Sequence, residues 1–173
     1  MKDEFAAQTA EHGDDDAIRA ILARLCGVTQ MGFAAVARVT DDRWIACQVL
    51  DKIGFGLEPG AELEVQMTIC NDIRQTGDYV VIDHVDADIR WQKHPVPIFY
   101  GFKSYVSFPL LLLDGSFYGT LCAIDPAPHL VNDAATIAII EGFVRDVSAL
   151  LSARILIHPF PVATPVGARP QEG

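Results

Sequence analysis

The sequence predicts an α+β fold: a central antiparallel β-sheet with the first and last helices gathered on one face and the connections on the other. Three observations carry this reading. Two pairs of β-favouring runs are each separated by a short polar turn, at Asp41-Asp42-Arg43 and at Asp114-Gly115. Helical periodicity flanks that block, with Ile18, Ile21, Leu22 and Leu25 before it and Ile140, Val144, Val147 and Leu151 after it. The resulting order of helix, two strands, short helix, strand, irregular segment, two strands and helix suits a sheet covered by terminal helices.

The elements follow in chain order. Residues 1–13 are polar and acidic and read as a flexible tail. Asp14, Asp15 and Asp16 place negative charge where the first helix begins, at the positive end of its dipole. That helix is expected to run to Thr29, with Gly32 punctuating its exit. Phe33–Thr40 and Trp44–Leu50 form the first hairpin, and the glycine-rich stretch KIGFGLEPGAEL is a long loop. Val65–Thr76 reads as a short helix stopped by Gly77, and Tyr79–Val85 as a strand. Pro95 and Pro97 argue against a regular helix in Asp86–Phe99, beyond a helical turn near Ile89–Lys93.

Lys103–Leu113 and Ser116–Ile124 are the second hairpin, with a type I′ turn at Asp114-Gly115 and a bulge or strand end near Pro109. On its second strand Phe117, Gly119, Leu121 and Ala123 are expected on one face, and Tyr118, Thr120, Cys122 and Ile124 on the other. Neither face is polar, so both are covered. Asn132 or Asp133 caps the final helix from Ala134 to about Ala153. Residues 14–156 thus form one domain, and the proline-rich residues 157–173 a tail or linker.

The chain has 173 residues, half of them apolar, and a net charge of -10. No basic stripe is visible, which argues against nucleic acid and anionic membrane as partners. Apolar runs such as Val106–Leu113 are too short to span a bilayer, and the acidic start lacks the layout of a signal peptide. Cys26, Cys47, Cys70 and Cys122 are scattered without a CxxC pair, so they read as reduced thiols of a cytoplasmic protein rather than zinc ligands.

The element order and the residues that carry it resemble the GAF domain family, from about Asp14 to Arg154. Thr68-Ile69-Cys70 is followed by YVVIDHVDADIRW, then HPVPIFYGFKSYVSFPL, then GSFYGTLCAIDP. The last piece holds Gly115, Gly119, Thr120, Leu121, Cys122 and Asp125. These pieces look like the GAF domains of bacterial sensor kinases and related signalling proteins. The resemblance implies regulation: a small molecule bound in a pocket on the sheet face away from the helices, and its state passed on through the terminal helices. It also implies a histidine kinase or other signalling effector. The final helix carries two apolar seams, Ile140, Val144, Val147 and Leu151 beside Ile139, Phe143 and Leu150, more than one sheet contact needs, so a homodimer through the first and last helices is expected.

The resemblance leaves the ligand unnamed. Phytochrome-type members carry a bilin on a Cys-His pair that would fall near Gln92-Lys93, and no cysteine lies between Cys70 and Cys122. No cyclic-nucleotide motif of the N-K-x-n-F-x₃-D-E kind is present. Free methionine sulfoxide reductases of the family use several cysteines. Cys70 is near the place of one, but Asp86–Phe99 contains none. No metal cluster, phosphate loop or base–nucleophile pair is recognisable, so the chain is read as non-catalytic. The family's pocket position points to Cys70, Arg90, Trp91, His94, Phe99, Tyr100 and Tyr105 as ligand-binding candidates. Aromatic faces and polar donors suit a small-ligand site, although Trp91, Phe99 and Tyr100 could equally close the core. Asp83, Asp86 and Asp88 lack EF-hand spacing and fit capping or turn roles. A ligand-free dimerisation and relay module is the alternative, marked by a pocket filled with its own side chains.

Overall fold

The computed structural model describes residues 2–160. Six strands form one antiparallel sheet in the order β3-β2-β1-β6-β5-β4. They are β1 (Phe33–Val39), β2 (Trp44–Asp51), β3 (Glu62–Leu63), β4 (Val80–Ile82), β5 (Ser104–Leu111) and β6 (Phe117–Asp125). Helices α1 (Glu4–His12), α2 (Asp16–Thr29) and α5 (Ala134–Ile157) pack on one face, and α3 (Ile69–Thr76) packs on the other. The short helix α4 (Pro95–Tyr100) joins α3 there through Val96, in a cluster with Ile69, Phe102 and Tyr105.

The helix-covered face is built by periodicity. Ile18, Leu22 and Leu25 of α2 and Ile140, Val147 and Leu151 of α5 are buried against Val106, Phe108 and Leu110 of β5. Each such side chain withdrawn from water contributes about 1.5–3 kcal/mol. Asp15 caps α2, accepting from Ala17 N at 2.7 Å, and Asp133 caps α5, accepting from Thr136 N at 2.8 Å. Gln30, at φ 63°, takes the left-handed position that ends α2, rather than Gly32. Gly32 N instead donates to the Asp125 carboxylate at 2.8 Å and ties the start of β1 to the end of β6.

Several expectations are corrected. The leading segment is not a tail but contains α1, opened by Asp3, whose carboxylate accepts from Ala6 N at 2.9 Å. Ala6, Thr9 and His12 recur every three residues and form its buried stripe, with α1 lying against β2 and α5. Small and polar members hid that stripe. The second hairpin has no type I′ turn, because only Gly115 has positive φ (86°). Gly115 N donates to Leu112 O at 2.9 Å and Leu112 N to Ser116 O at 2.8 Å, a three-residue loop closed by a left-handed glycine.

The expected faces of β6 are also wrong at one end. The β5–β6 register slips between Leu110 and Leu111. The slip puts Tyr118 in the helix-face cluster with Leu121 and Ala123, while Phe117 packs with the opposite one. At Gly119 an added Cβ would sit 1.8 Å from Ala37 O, so this crossing of β6 and β1 tolerates no side chain. Pro109 stays inside β5, paired with Thr120. Strand β4 stops at Ile82 because Asp83 turns away to accept from Val131 N and Asn132 N, both at 2.7 Å. The expected helix Val65–Thr76 is split at Thr68 into a 3-10 turn and α3. The final helix extends to Ile157, so the expected tail starts one residue later, and its residues 161–173 lie outside the described residues.

Candidate functional site

The face opposite the long helices is assembled from irregular pieces. Thr68, buried, caps α3 by accepting from Asn71 N at 3.3 Å, and this sets Cys70 at the first turn facing the sheet. Pro95 and Pro97 do not prevent α4, contrary to expectation. They fall in its first turn, where a backbone N–H would have no helical partner anyway. The His94 ring accepts from Val96 N at 3.2 Å and Gly101 closes the helix at φ 75°. Asp51 holds the glycine-rich loop, its carboxylate accepting from Ile53 N, Phe55 N and Gly56 N at 2.8–3.1 Å. Those bonds hold the Asp51 carboxyl below the usual carboxylate range, against the opposing effect of burial.

Between these pieces and the sheet lies a cavity of roughly 50 Å³. Cys70, Tyr100 and Tyr105 line it, with Trp44 of β2, Phe55 and Leu57 of the loop, Val96 of α4 and Cys122 of β6 among the remaining walls. Cys70 is the polar centre. The Thr120 hydroxyl donates to its sulfur at 3.1 Å, and the Tyr105 and Ser107 hydroxyls stand 3.6 and 3.8 Å away. The Cys122 thiol, on the same cavity wall, donates to Ala35 O at 3.6 Å. The enclosed Trp44 indole N–H, on the cavity wall, reaches no acceptor among the described residues. Neighbouring Cys122 foremost, then the hydroxyls of Thr120 and Tyr105, pull the Cys70 thiol below its ordinary value while burial opposes them. Cys122 moves the other way, pushed up by Cys70 and by burial. Burial pushes the Tyr105 phenol up as well, so it stays a neutral donor.

The remaining candidates are placed differently. Trp91 packs against the pocket-side cluster with its ring 4.9 Å from that of His94, but neither lines the cavity. Arg90 and Phe99 are at the surface. Arg90 pairs with Asp88 at 3.4 Å, and Phe99 is 68% exposed, edge-on to Tyr100 at 4.9 Å. The helical turn is the reason: Val96, Pro97 and Tyr100 share the inner side of α4, which leaves Ile98 and Phe99 outside. The sequence reading missed Trp44, Phe55 and Cys122. Strand alternation carries the signal for Cys122, which shares a face of β6 with Thr120, the donor to Cys70. Asp86 is engaged by Lys103 at 3.0 Å, which lowers its carboxyl. Among the described residues no group of three His, Cys, Asp or Glu side chains could hold a metal ion.

The sequence profile of the GAF domain matches residues 15–153. A search of curated protein sequences finds no match. Among solved structures, the fold is similar to the GAF domain of a two-component sensor histidine kinase from Bacillus halodurans. That match has 11% identity and a TM-score of 0.64, and covers 84% of this chain and 97% of the other. It is also similar to the GAF domain from the Acinetobacter phosphoenolpyruvate-protein phosphotransferase, with 9% identity, a TM-score of 0.66, and coverage of 91% and 99%. A third similar structure is a type II free methionine-R-sulfoxide reductase from Thermoplasma acidophilum, with 10% identity, a TM-score of 0.62, and coverage of 84% and 96%. At these identities the likeness concerns the fold. The family profile spans most of the sequence, the sheet carries helices on one face and a cavity under α3 and α4 on the other, and the chain belongs to the GAF domain family.

Proposed function

We propose that this chain is a non-catalytic sensory domain of bacterial signal transduction whose input is a molecule of only a few atoms. The carrying observation is the cavity of roughly 50 Å³ centred on Cys70. Pockets for drug-sized ligands measure about 300–1,000 Å³, so a bilin or a nucleotide has no room here. Cys70, Tyr100 and Tyr105 supply the contacts, and Trp91 and His94 support the wall behind them. The same cavity size also favours the second reading, a ligand-free relay module. The setting is cytoplasmic, where the four free thiols are reduced at rest. Among the described residues no helix is long and apolar enough to cross a membrane.

The output runs through α2 and α5 in a homodimer that engages a histidine kinase or another signalling effector. Ile139, Leu156 and Ile157 are exposed apolar residues along α5, at 46%, 84% and 68%. Val147 and Leu151 belong to the subunit's own core, so the dimer is tested on the outer residues. Native mass spectrometry of the chain purified from its host, with sedimentation of wild type and Ile139→Glu/Leu156→Glu, tests both parts. A dimer that the double substitution dissociates, carrying at most a few-atom adduct, is the expected result. A retained ligand of nucleotide size sinks the input, and a monomer at high micromolar concentration sinks the output.

A further inference from the structure

We infer that Cys70 and Cys122 form a modification site for hydroperoxides, closing to a disulfide across the cavity. The inference rests on the sensory reading above for its biological meaning, but its chemistry stands on geometry. The two thiols come from different elements, α3 and β6, and line the same cavity, and Thr120, two residues before Cys122 on β6, donates to the Cys70 sulfur at 3.1 Å. The cavity exceeds the ~10–15 Å³ that one water needs, so a molecule of two heavy atoms fits beside them. The Thr120, Tyr105 and Ser107 hydroxyls converge on the Cys70 sulfur at 3.1, 3.6 and 3.8 Å. Donors so placed stabilise negative charge on that sulfur, and the thiolate is the nucleophile toward peroxide.

The reaction balances with hydrogen peroxide as oxidant. The Cys70 sulfur attacks one peroxide oxygen. An S–O bond forms, the O–O bond breaks, and the leaving hydroxide takes the thiol proton as water. The sulfenic acid so formed at Cys70 is then attacked by the Cys122 sulfur. An S–S bond forms, the S–O bond breaks, and the second hydroxide leaves with the Cys122 proton. Two thiols are oxidised by two electrons in total, and one peroxide is reduced to two waters. The bond would tie the first turn of α3 to the sheet.

The other two cysteines are internal controls. Cys47 lies on the helix-covered face, donates to Thr9 O at 3.2 Å, accepts from the Tyr118 hydroxyl at 3.3 Å, and is pushed up to about 12 by burial. Burial also pushes up the Cys26 thiol of α2. Both belong to the packed helix-side cluster, and neither lines the cavity.

The test treats the folded full chain with a slight excess of hydrogen peroxide, then denatures it in alkylating reagent and maps the peptides by mass spectrometry. The expected result is a dithiothreitol-reversible cross-link between the Cys70 and Cys122 peptides, formed on the order of ten-fold faster than any oxidation at Cys26 or Cys47. In Cys122→Ala, dimedone should label Cys70, and in Cys70→Ala neither label nor cross-link should form. Equal oxidation of all four cysteines overturns the inference. So does a pair that stays reduced under conditions that oxidise the unfolded chain. Wild type alone decides this, whether or not the variants fold. The oligomer measurements above do not enter, so failure of the site and failure of the relay reading remain distinguishable.

Discussion

The two faces of the sheet differ in how they are covered. One carries α2 and α5, long and regular, over a continuous cluster from Ile18 to Leu151. The other carries α3, α4 and a glycine-rich loop, and its clusters enclose a cavity with a thiol at its centre. Regular helices bury whole stripes at once and leave no gaps. The short helices bury two or three residues each and depend on caps to hold their positions. The difference assigns stability to the first face and adjustability to the second, because local opening costs least where few apolar contacts are lost.

Substitutions can break that division. Leu151→Ala, at the centre of the helix-covered cluster, should cost about 2–5 kcal/mol in urea denaturation. An equal loss from Val96→Ala on the α4 side would erase the contrast. Gly119→Ala tests the sheet shared by both faces, where the new methyl meets Ala37 O at 1.8 Å. Overpacking of this kind costs about 1–3 kcal/mol, and thermal denaturation of the variant reads it. Thr68→Ala removes the α3 cap and should cost about 1 kcal/mol. Its hydrogen exchange should quicken in α3 while α5 stays protected. Uniform loss of protection would show that the faces open together.

The smallest expected effect concerns pH. His12 is buried between α1 and the end of α5, with its ring nitrogen on His158 O and its edge against Phe160 at a centroid distance of 4.6 Å. Burial holds its pKa below the ordinary 6.5, the His158 bond opposing. Folding therefore favours the neutral ring. This contribution is complete above 6.5 and is lost as pH falls from there toward the folded value. Hydrogen exchange in α1 should accelerate on that acid side, and His12→Gln should flatten the response. An acceleration that survives His12→Gln assigns it to another group.

By itself the sequence determined the sheet, its terminal helices and the family. Val147, Leu151, Ile18 and Leu22 repeat at helical spacing, and the strands of the second hairpin are apolar on both faces, so the local pattern already contains the burial. It also pointed to Cys70, Tyr100 and Tyr105, whose places follow from the family's order of elements. Only the tertiary structure decided the rest. α1 hid behind the small stripe of Ala6, Thr9 and His12, which becomes a buried face only once β2 and α5 lie under it. Phe99 left the site because Pro95 and Pro97 start α4 rather than forbid it, and Arg90 pairs with Asp88 at the surface. Tyr118 changed faces through a register slip set by β5, its neighbour in space. Cys70 and Cys122, far apart in sequence, meet because α3 packs on β6, a contact that no local spacing encodes.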